Sequence, residues 1–184
     1  MLFRSDIMMP KMDGVSATAK IRENCNAPVI FLSAKSEDSD KILGLTAGAD
    51  DYITKPFNPL EVIARVKAQL RRYHQYNETE AESEDIIEIQ SGLEINRTTH
   101  TCTLYGEKLN LTPLEFGIVL LLCENAGKVV STKEVFEKVW GEEYLDSNNT
   151  VMVHIRRIRE KMHERSREPK FIKTVWGVGY KIEK

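Results

Sequence analysis

The stretch from Tyr73 to Asp85 limits the fold more than any other part of the chain. Residues 74–85 hold five acids and no Lys or Arg, and they show neither helical nor strand periodicity. Such a segment buries too little apolar surface to order itself and reads as a linker over 74–85. The 184 residues are therefore expected to divide into a domain over 1–73 and a second over 86–184, each with its own core.

Hydrophobic residues make up 41% and charged residues 29% of the chain, which suits a globular protein rather than a disordered one. No apolar run approaches the roughly 20 residues of a membrane span. Met1 to Asp6 lacks the basic-then-apolar pattern of a secretion signal, so a cytoplasmic chain without membrane partners is expected. Cys25, Cys102 and Cys123 are far apart and have no metal-ligand spacing. The net charge of −2 hides a polarity along the chain: residues 150–184 hold ten bases and four acids, whereas 86–149 hold five bases and ten acids. An anion-binding face is expected at the C-terminal end.

Before the linker, short apolar runs alternate with amphipathic stretches. Pro28 to Ser33 and Asp51 to Thr54 read as strands, and Asp40 to Ala47 and Pro59 to Arg72 as helices. This alternation predicts a doubly wound α/β domain with a parallel sheet. After the linker, Ile86 to Ile89, Leu93 to Ile95, Thr101 to Leu104 and Lys108 to Leu111 suit an antiparallel meander. Three helices follow. The first begins with Thr112 as N-cap, Pro113 next and Glu115 completing a capping box; the others start near Ser131 and Asn149. The end, Phe171 to Ile182, reads as two strands around a glycine-containing turn.

On a helical wheel, Val151, Ile155, Ile158 and Met162 form one buried stripe. Asn149, Val153, Arg156, Arg157 and Glu160 fall around the opposite side, with His154 and Arg159 at the edges. Such a helix fits a major groove: Arg can fork onto guanine, Val153 can touch a thymine methyl, and Arg159, His154 and Thr150 suit phosphates. A plain solvated face explains the helix equally well by itself. The following hairpin, with Lys170, Lys173 and Lys181 around it, turns the pattern into a winged helix.

Thr150 to Met162, with Thr174-Val175-Trp176-Gly177-Val178-Gly179-Tyr180, Leu111 to Phe116 and Val139-Trp140-Gly141, resembles the effector domain of the OmpR/PhoB family of response regulators over residues 86–184. The resemblance implies an α+β winged helix-turn-helix with an N-terminal antiparallel sheet. By position it implies that Val153 and Arg157 face bases and that Trp140, Thr150, His154, Arg156, Arg159 and Tyr180 lie near phosphates, with Thr174 at the wing base. Position 176, Arg in some members, is Trp176 here and cannot make that charged contact. Residues 141–148 match a loop that can meet RNA polymerase, although a solvated loop fits equally well.

Asp6 to Gly14, Leu32-Ser33-Ala34-Lys35 and Tyr52 to Phe57 resemble the three signatures of the receiver domain of the same regulators. The resemblance makes Asp6 the phosphoacceptor and Ser33, Tyr52 and Lys55 the switch, with a cis Lys55–Pro56 bond. Lys41 with Glu61 and Asp51 with Arg65 match its intersubunit ion pairs. Only five residues precede Asp6, where the family has two βα units and the acidic pair for magnesium. A partial receiver is thus expected, with magnesium needed only for a complete one.

The leading expectation is a two-component transcription factor. It would bind direct-repeat duplex DNA as a homodimer, with Asp6 phosphorylated in the full-length form by a sensor histidine kinase. The alternative is a phosphorylation-incompetent DNA-binding fragment whose receiver remnant mediates dimerisation or masking. No Walker loop, metalloprotease or Ser-His-Asp signature is present, and Met8 stands where an aspartyl-phosphate phosphatase needs a carboxylate. An enzyme is not expected.

Overall fold

The structure, a computed structural model, describes residues 3–5, 12–34, 38–75, 86–89, 92–144, 150–164 and 169–184. It divides into two compact units, residues 1–74 and 75–184.

In the first unit, β1 (Phe3–Ser5), β2 (Val29–Ser33) and β3 (Asp51–Thr54) form a parallel sheet in the order β1-β2-β3. Between and after the strands come α1 (Gly14–Asn24), α2 (Asp38–Thr46) and α3 (Pro59–Gln75). Parallel neighbours need a crossover, and α1 and α2 supply one each. Ile30, Ile53 and Val62 form a small core, with Leu32, Phe57 and Val66 packed against it. Arg22 Nη2 meets Asp50 Oδ2 at 2.6 Å, Arg22 Nη1 donates to Ala27 O, and Asp50 Oδ2 accepts from Val29 N–H. This polar knot fixes the end of α1 to the starts of β2 and β3. The Lys55–Pro56 bond is cis.

Three features of this unit depart from the sequence reading. Arg4 and Ser5 depart from an apolar strand, yet Phe3–Ser5 pairs in parallel with Val29 to Phe31, because backbone pairing needs no apolar side chain. Helix α1 was not anticipated: its apolar residues are sparse, and its clearest signal is the Asp13 N-cap, which accepts from Ser16 N–H at 2.8 Å. Helix α3 runs to Gln75, beyond the domain boundary expected at 73. Residues 76–85 of the expected linker lie outside the described residues.

The second unit opens with β4 (Ile86–Ile89), β5 (Leu93–Asn96), β6 (Thr101–Leu104) and β7 (Glu107–Lys108), an antiparallel meander in chain order. The last strand is shorter and earlier than Lys108 to Leu111. Helix α4 (Pro113–Glu124) is apolar almost all round and accordingly buried on most sides. It packs against β4, α5 (Thr132–Trp140), α6 (Thr150–Lys161) and β10 (Gly179–Ile182). The terminal hairpin, β9 (Ile172–Val175) and β10, gains a third strand, β8 (Val130–Ser131), giving the order β8-β10-β9. A two-residue strand carries no periodicity from which it could be read.

Gly179 makes the β8–β10 pairing possible. A Cβ there would lie 2.0 Å from Val130 O and 2.7 Å from Ser131 Cα, both backbone atoms. Gly179→Ala is therefore expected to part the two strands and destabilise the unit by about 1–3 kcal/mol, the usual range for overpacking. Thermal unfolding of variant and parent measures this, and equal midpoints would show that the backbone yields without loss.

Candidate nucleic-acid interface

Helix α6 turns a narrower face to solvent than its sequence suggests. Met152, Arg156 and Glu160, spaced at i, i+4 and i+8, are exposed. Arg156 Nε donates to Glu160 Oε1 at 2.9 Å along this stripe. Val153 and Arg157, expected to face bases, are buried at 3% and 6% exposure. Arg157 is drawn inward by Glu115, fully buried in the first turn of α4. Its Oε1 lies 3.1 Å from Arg157 Nη2 and its Oε2 lies 2.7 Å from Lys161 Nζ, while Thr112 N–H donates to Oε2 at 2.8 Å. Burial by itself raises the Glu115 carboxyl pKa; the charges of Arg157 and Lys161, with the hydrogen bonds from Lys161 and Thr112, outweigh it and hold the group below its ordinary value.

Four further residues expected near phosphates are buried as well. His154 is fully buried, edge-on to Trp140 with ring centroids 5.4 Å apart, and Trp140 is itself buried and stacked on Phe136 at 5.0 Å. Both pack α5 against α6. Arg159 is buried as well: Nε and Nη2 donate to Ile172 O at 3.1 and 2.5 Å, and Nη2 to Thr174 Oγ1 at 2.9 Å. It ties α6 to the base of the hairpin. Tyr180 is buried, and desolvation pushes its hydroxyl pKa up. Thr150 sits half-buried at the start of α6, and Asn149 lies outside the described residues.

Between α6, the start of α5 and the hairpin runs an open cleft of about 620 Å³. Lys133, Arg156 and Arg159 line it, and no acid does among the described residues that form its walls. Ser131, Thr132, Thr174 and the exposed Met152 and Trp176 complete much of the surface. Sequence reading passed over Met152 and Lys133. The i+4 spacing of Met152 from Arg156 was an available signal, whereas the place of Lys133 depends on how α5 docks.

In the first unit, the pairing Ser33↔Thr54 brings Ser33 and Lys55 to the carboxyl ends of β2 and β3, the usual location of ligands in open parallel sheets. Ser33 is buried, its carbonyl accepts from Lys55 N–H at 2.7 Å, and Tyr52 lies edge-on to Phe31. Asp6, just beyond β1, lies outside the described residues. Of the expected intersubunit pairs, Asp51–Arg65 is made within one chain: Arg65 Nη1 meets Asp51 Oδ2 at 3.1 Å and its Nε meets Glu61 Oε1 at 3.1 Å. Lys41 lies half-buried on α2.

A parallel α/β unit with these strand ends, joined to a winged helix, defines a transcriptional response regulator. The model of the response regulator receiver domain matches residues 2–67, and that of the transcriptional regulatory protein C-terminal domain matches residues 106–182. The chain is 57% identical to the regulatory protein VanRc of Enterococcus gallinarum and 56% identical to the regulatory protein VanR of Enterococcus faecium. Each alignment spans 97% of this chain and 78% of the relative. The DNA-binding domain of RstA from Klebsiella pneumoniae, solved in complex with the RstA box, is 28% identical with a TM-score of 0.51; the match covers 54% of this chain and 97% of that one. A RitR mutant shares the fold over the whole chain, at a TM-score of 0.70 and 24% identity, covering 78% of that structure. The chain belongs to the OmpR/PhoB family of two-component response regulators, a family of transcriptional regulators rather than enzymes. No helix among the described residues is long and apolar enough to cross a membrane.

The Glu115 cluster generates a prediction that separates neighbouring arginines. Arg157→Ala leaves a buried carboxylate with one partner fewer and is expected to destabilise the protein by about 3 kcal/mol. Arg156→Ala, on the surface, is expected to change stability by less than about 0.5 kcal/mol. The folded-state pKa of Glu115 is depressed, so its contribution is present above the ordinary value of 4.5 and is lost as pH falls through the lower, folded value. Thermal midpoints followed from neutral to acid pH should fall less steeply for Glu115→Gln than for the parent; parallel curves would mean that Glu115 does not carry the acid dependence.

Proposed function

We propose that this chain is a cytoplasmic, non-enzymatic transcription factor that reads duplex DNA with the cleft between α6 and the β9–β10 hairpin. One observation carries the reading: Lys133, Arg156 and Arg159 converge on that cleft, with the paired acids Glu137 and Glu160 outside its walls. Arg156 and Lys133 contact phosphates from its two sides. Thr150 and Thr174 offer hydroxyls, and Asn149, the residue before Thr150 in sequence, is assigned to the same contact. The DNA complex solved for the RstA domain supports the assignment by homology. The target is a direct-repeat promoter site occupied by a homodimer.

A sensor histidine kinase controls the full-length protein by phosphorylating Asp6, with Ser33 and Lys55 engaging the phosphoryl oxygens and Tyr52 following Ser33 as the switch. Magnesium would neutralise charge on the phosphoryl group. Among the described residues no group of three or more His, Cys, Asp or Glu side chains is arranged to hold a metal ion. The dimer uses the α2–β3–α3 face. There Leu60 and Ile63 expose apolar surface beside Glu61 and Arg65, and Lys41 and Asp51 supply further charges. The segment 141–148, whose acids include Glu142 and Glu143, is assigned to RNA polymerase contact.

The test begins with duplexes selected from a random pool by the full chain. Arg156→Ala should weaken binding to every selected duplex and flatten the slope of log K against log salt by about 0.9, one phosphate contact. An unchanged slope would remove Arg156 from the interface. With a complete receiver, acetyl phosphate should tighten binding and leave Asp6→Ala unaffected; if neither responds, the first unit acts only in dimerisation or masking.

A further inference from the structure

A second cleft, of about 770 Å³, opens beside the C-terminal end of α6. That volume lies within the roughly 300–1,000 Å³ of small-molecule sites. Leu104, Met162 and Phe171, all members of the core, surface in its walls together with the half-buried Leu109. Tyr105 extends this apolar surface outward: its ring is exposed and lies edge-on to Phe171 at 6.0 Å. Tyr105 and Gly106 form the two-residue turn between β6 and β7, at φ +53° and +81°. Such a turn favours Asn, Asp or Gly at its first position, so a tyrosine stands there against its backbone preference. An aromatic residue held in the left-handed region at the rim of a cleft points to a use for its ring.

The charges of the walls give the sign of the occupant. Lys108, Lys161 and Lys170 face Glu107 and Glu164 across the cleft, and Glu164 Oε1 already accepts from Phe171 N–H. Lys161 Nζ donates to Glu115 Oε2 and to Asn110 O, both at 2.7 Å. Lys170 Nζ lies 4.9 Å over the Tyr105 ring and 5.2 Å from the centre of the Phe171 ring, and meets the Tyr105 hydroxyl. Among the described residues no carboxylate pairs with Lys170 or Lys108. An exposed ammonium resting on ring faces is held only weakly and exchanges that contact for an anion. We propose that this cleft binds a small organic anion with an aromatic or aliphatic body. The body lies on Met162, Phe171 and the Tyr105 ring, and the anionic group meets Lys108, Lys161 and Lys170. There it competes with Glu115 for Lys161. By reciprocity, occupancy eases the grip of Glu115 on the last turn of α6. The site stands whether or not the other cleft binds DNA.

The test titrates the full chain with naphthalenesulfonate and follows backbone amide shifts. Saturable shifts should centre on Tyr105, Leu109 and Phe171. Inorganic sulfate, which lacks the body, and naphthalenemethanol, which lacks the charge, should each bind more weakly by roughly tenfold or more. Lys170→Glu, at an exposed position, should keep the parent thermal midpoint and weaken binding of naphthalenesulfonate by a similar factor. Glu115→Gln releases Lys161 and should tighten binding severalfold. Shifts centred on Met152 and Trp176, sulfate binding as tightly as naphthalenesulfonate, or parent-like affinity of Lys170→Glu would each overturn the proposal. Parent-like affinity of Glu115→Gln would overturn the competition for Lys161.

Discussion

Glu115 has no exposed surface and lies between two cations of α6, Arg157 at 3.1 Å and Lys161 at 2.7 Å. A buried carboxylate alone is costly to desolvate, and removing a partner from such a cluster leaves uncompensated charge in the interior. Arg157 and Lys161 are one helical turn apart. A single carboxylate, itself fixed by the Thr112 capping box at the start of α4, thus holds two successive turns of α6. That hold sets the rotation of α6 about its own axis, and the rotation decides that Met152, Arg156 and Glu160 face outward. Apolar packing of Val151, Ile155 and Ile158 keeps the helix on the core, but by itself it tolerates rotations that would bring Val153 or Arg157 to the surface.

Two further contacts extend this constraint to the rest of the interface. The His154–Trp140 edge contact docks α5 onto α6, and the Arg159 guanidinium, bonded to Ile172 O and Thr174 Oγ1, joins α6 to the root of the hairpin. Helix and wing are therefore coupled through one side chain, and the cleft between them has a width set by bonded groups. The first unit uses a similar device. There Arg22 joins Gly48, Ala27 and Asp50, so the end of one helix is fixed to two strand starts and the strand ends at the opposite edge are free to carry Ser33 and Lys55.

Much of this architecture was legible in the sequence because local rules acted alone. The capping box at Thr112–Glu115, the meander strands and the strand–helix alternation before the linker each follow from periodicity and end signals. What stayed hidden depended on partners distant in the chain. Strand β8 exists only because β10 passes beside it, and β1 is a strand by pairing rather than by composition. The outward face of α6 was misjudged because a wheel sees only apolar residues as buried, and a buried Arg looks identical to an exposed one until Glu115, more than forty residues earlier, is placed against it.

The charge count of the C-terminal segment needs the same correction. Ten bases against four acids in residues 150–184 suggest a broad cationic face. Yet among the four bases of α6, Arg157 and Lys161 neutralise Glu115, and Arg159 holds the hairpin by backbone and hydroxyl oxygens. Arg156 alone of the four stands on the exposed stripe. The surface beside α6 and the hairpin thus carries fewer cations than the count suggests, with hydroxyls, a methionine and an indole among them. It follows from the interior: cations that lock α6 in place are drawn away from its outer stripe.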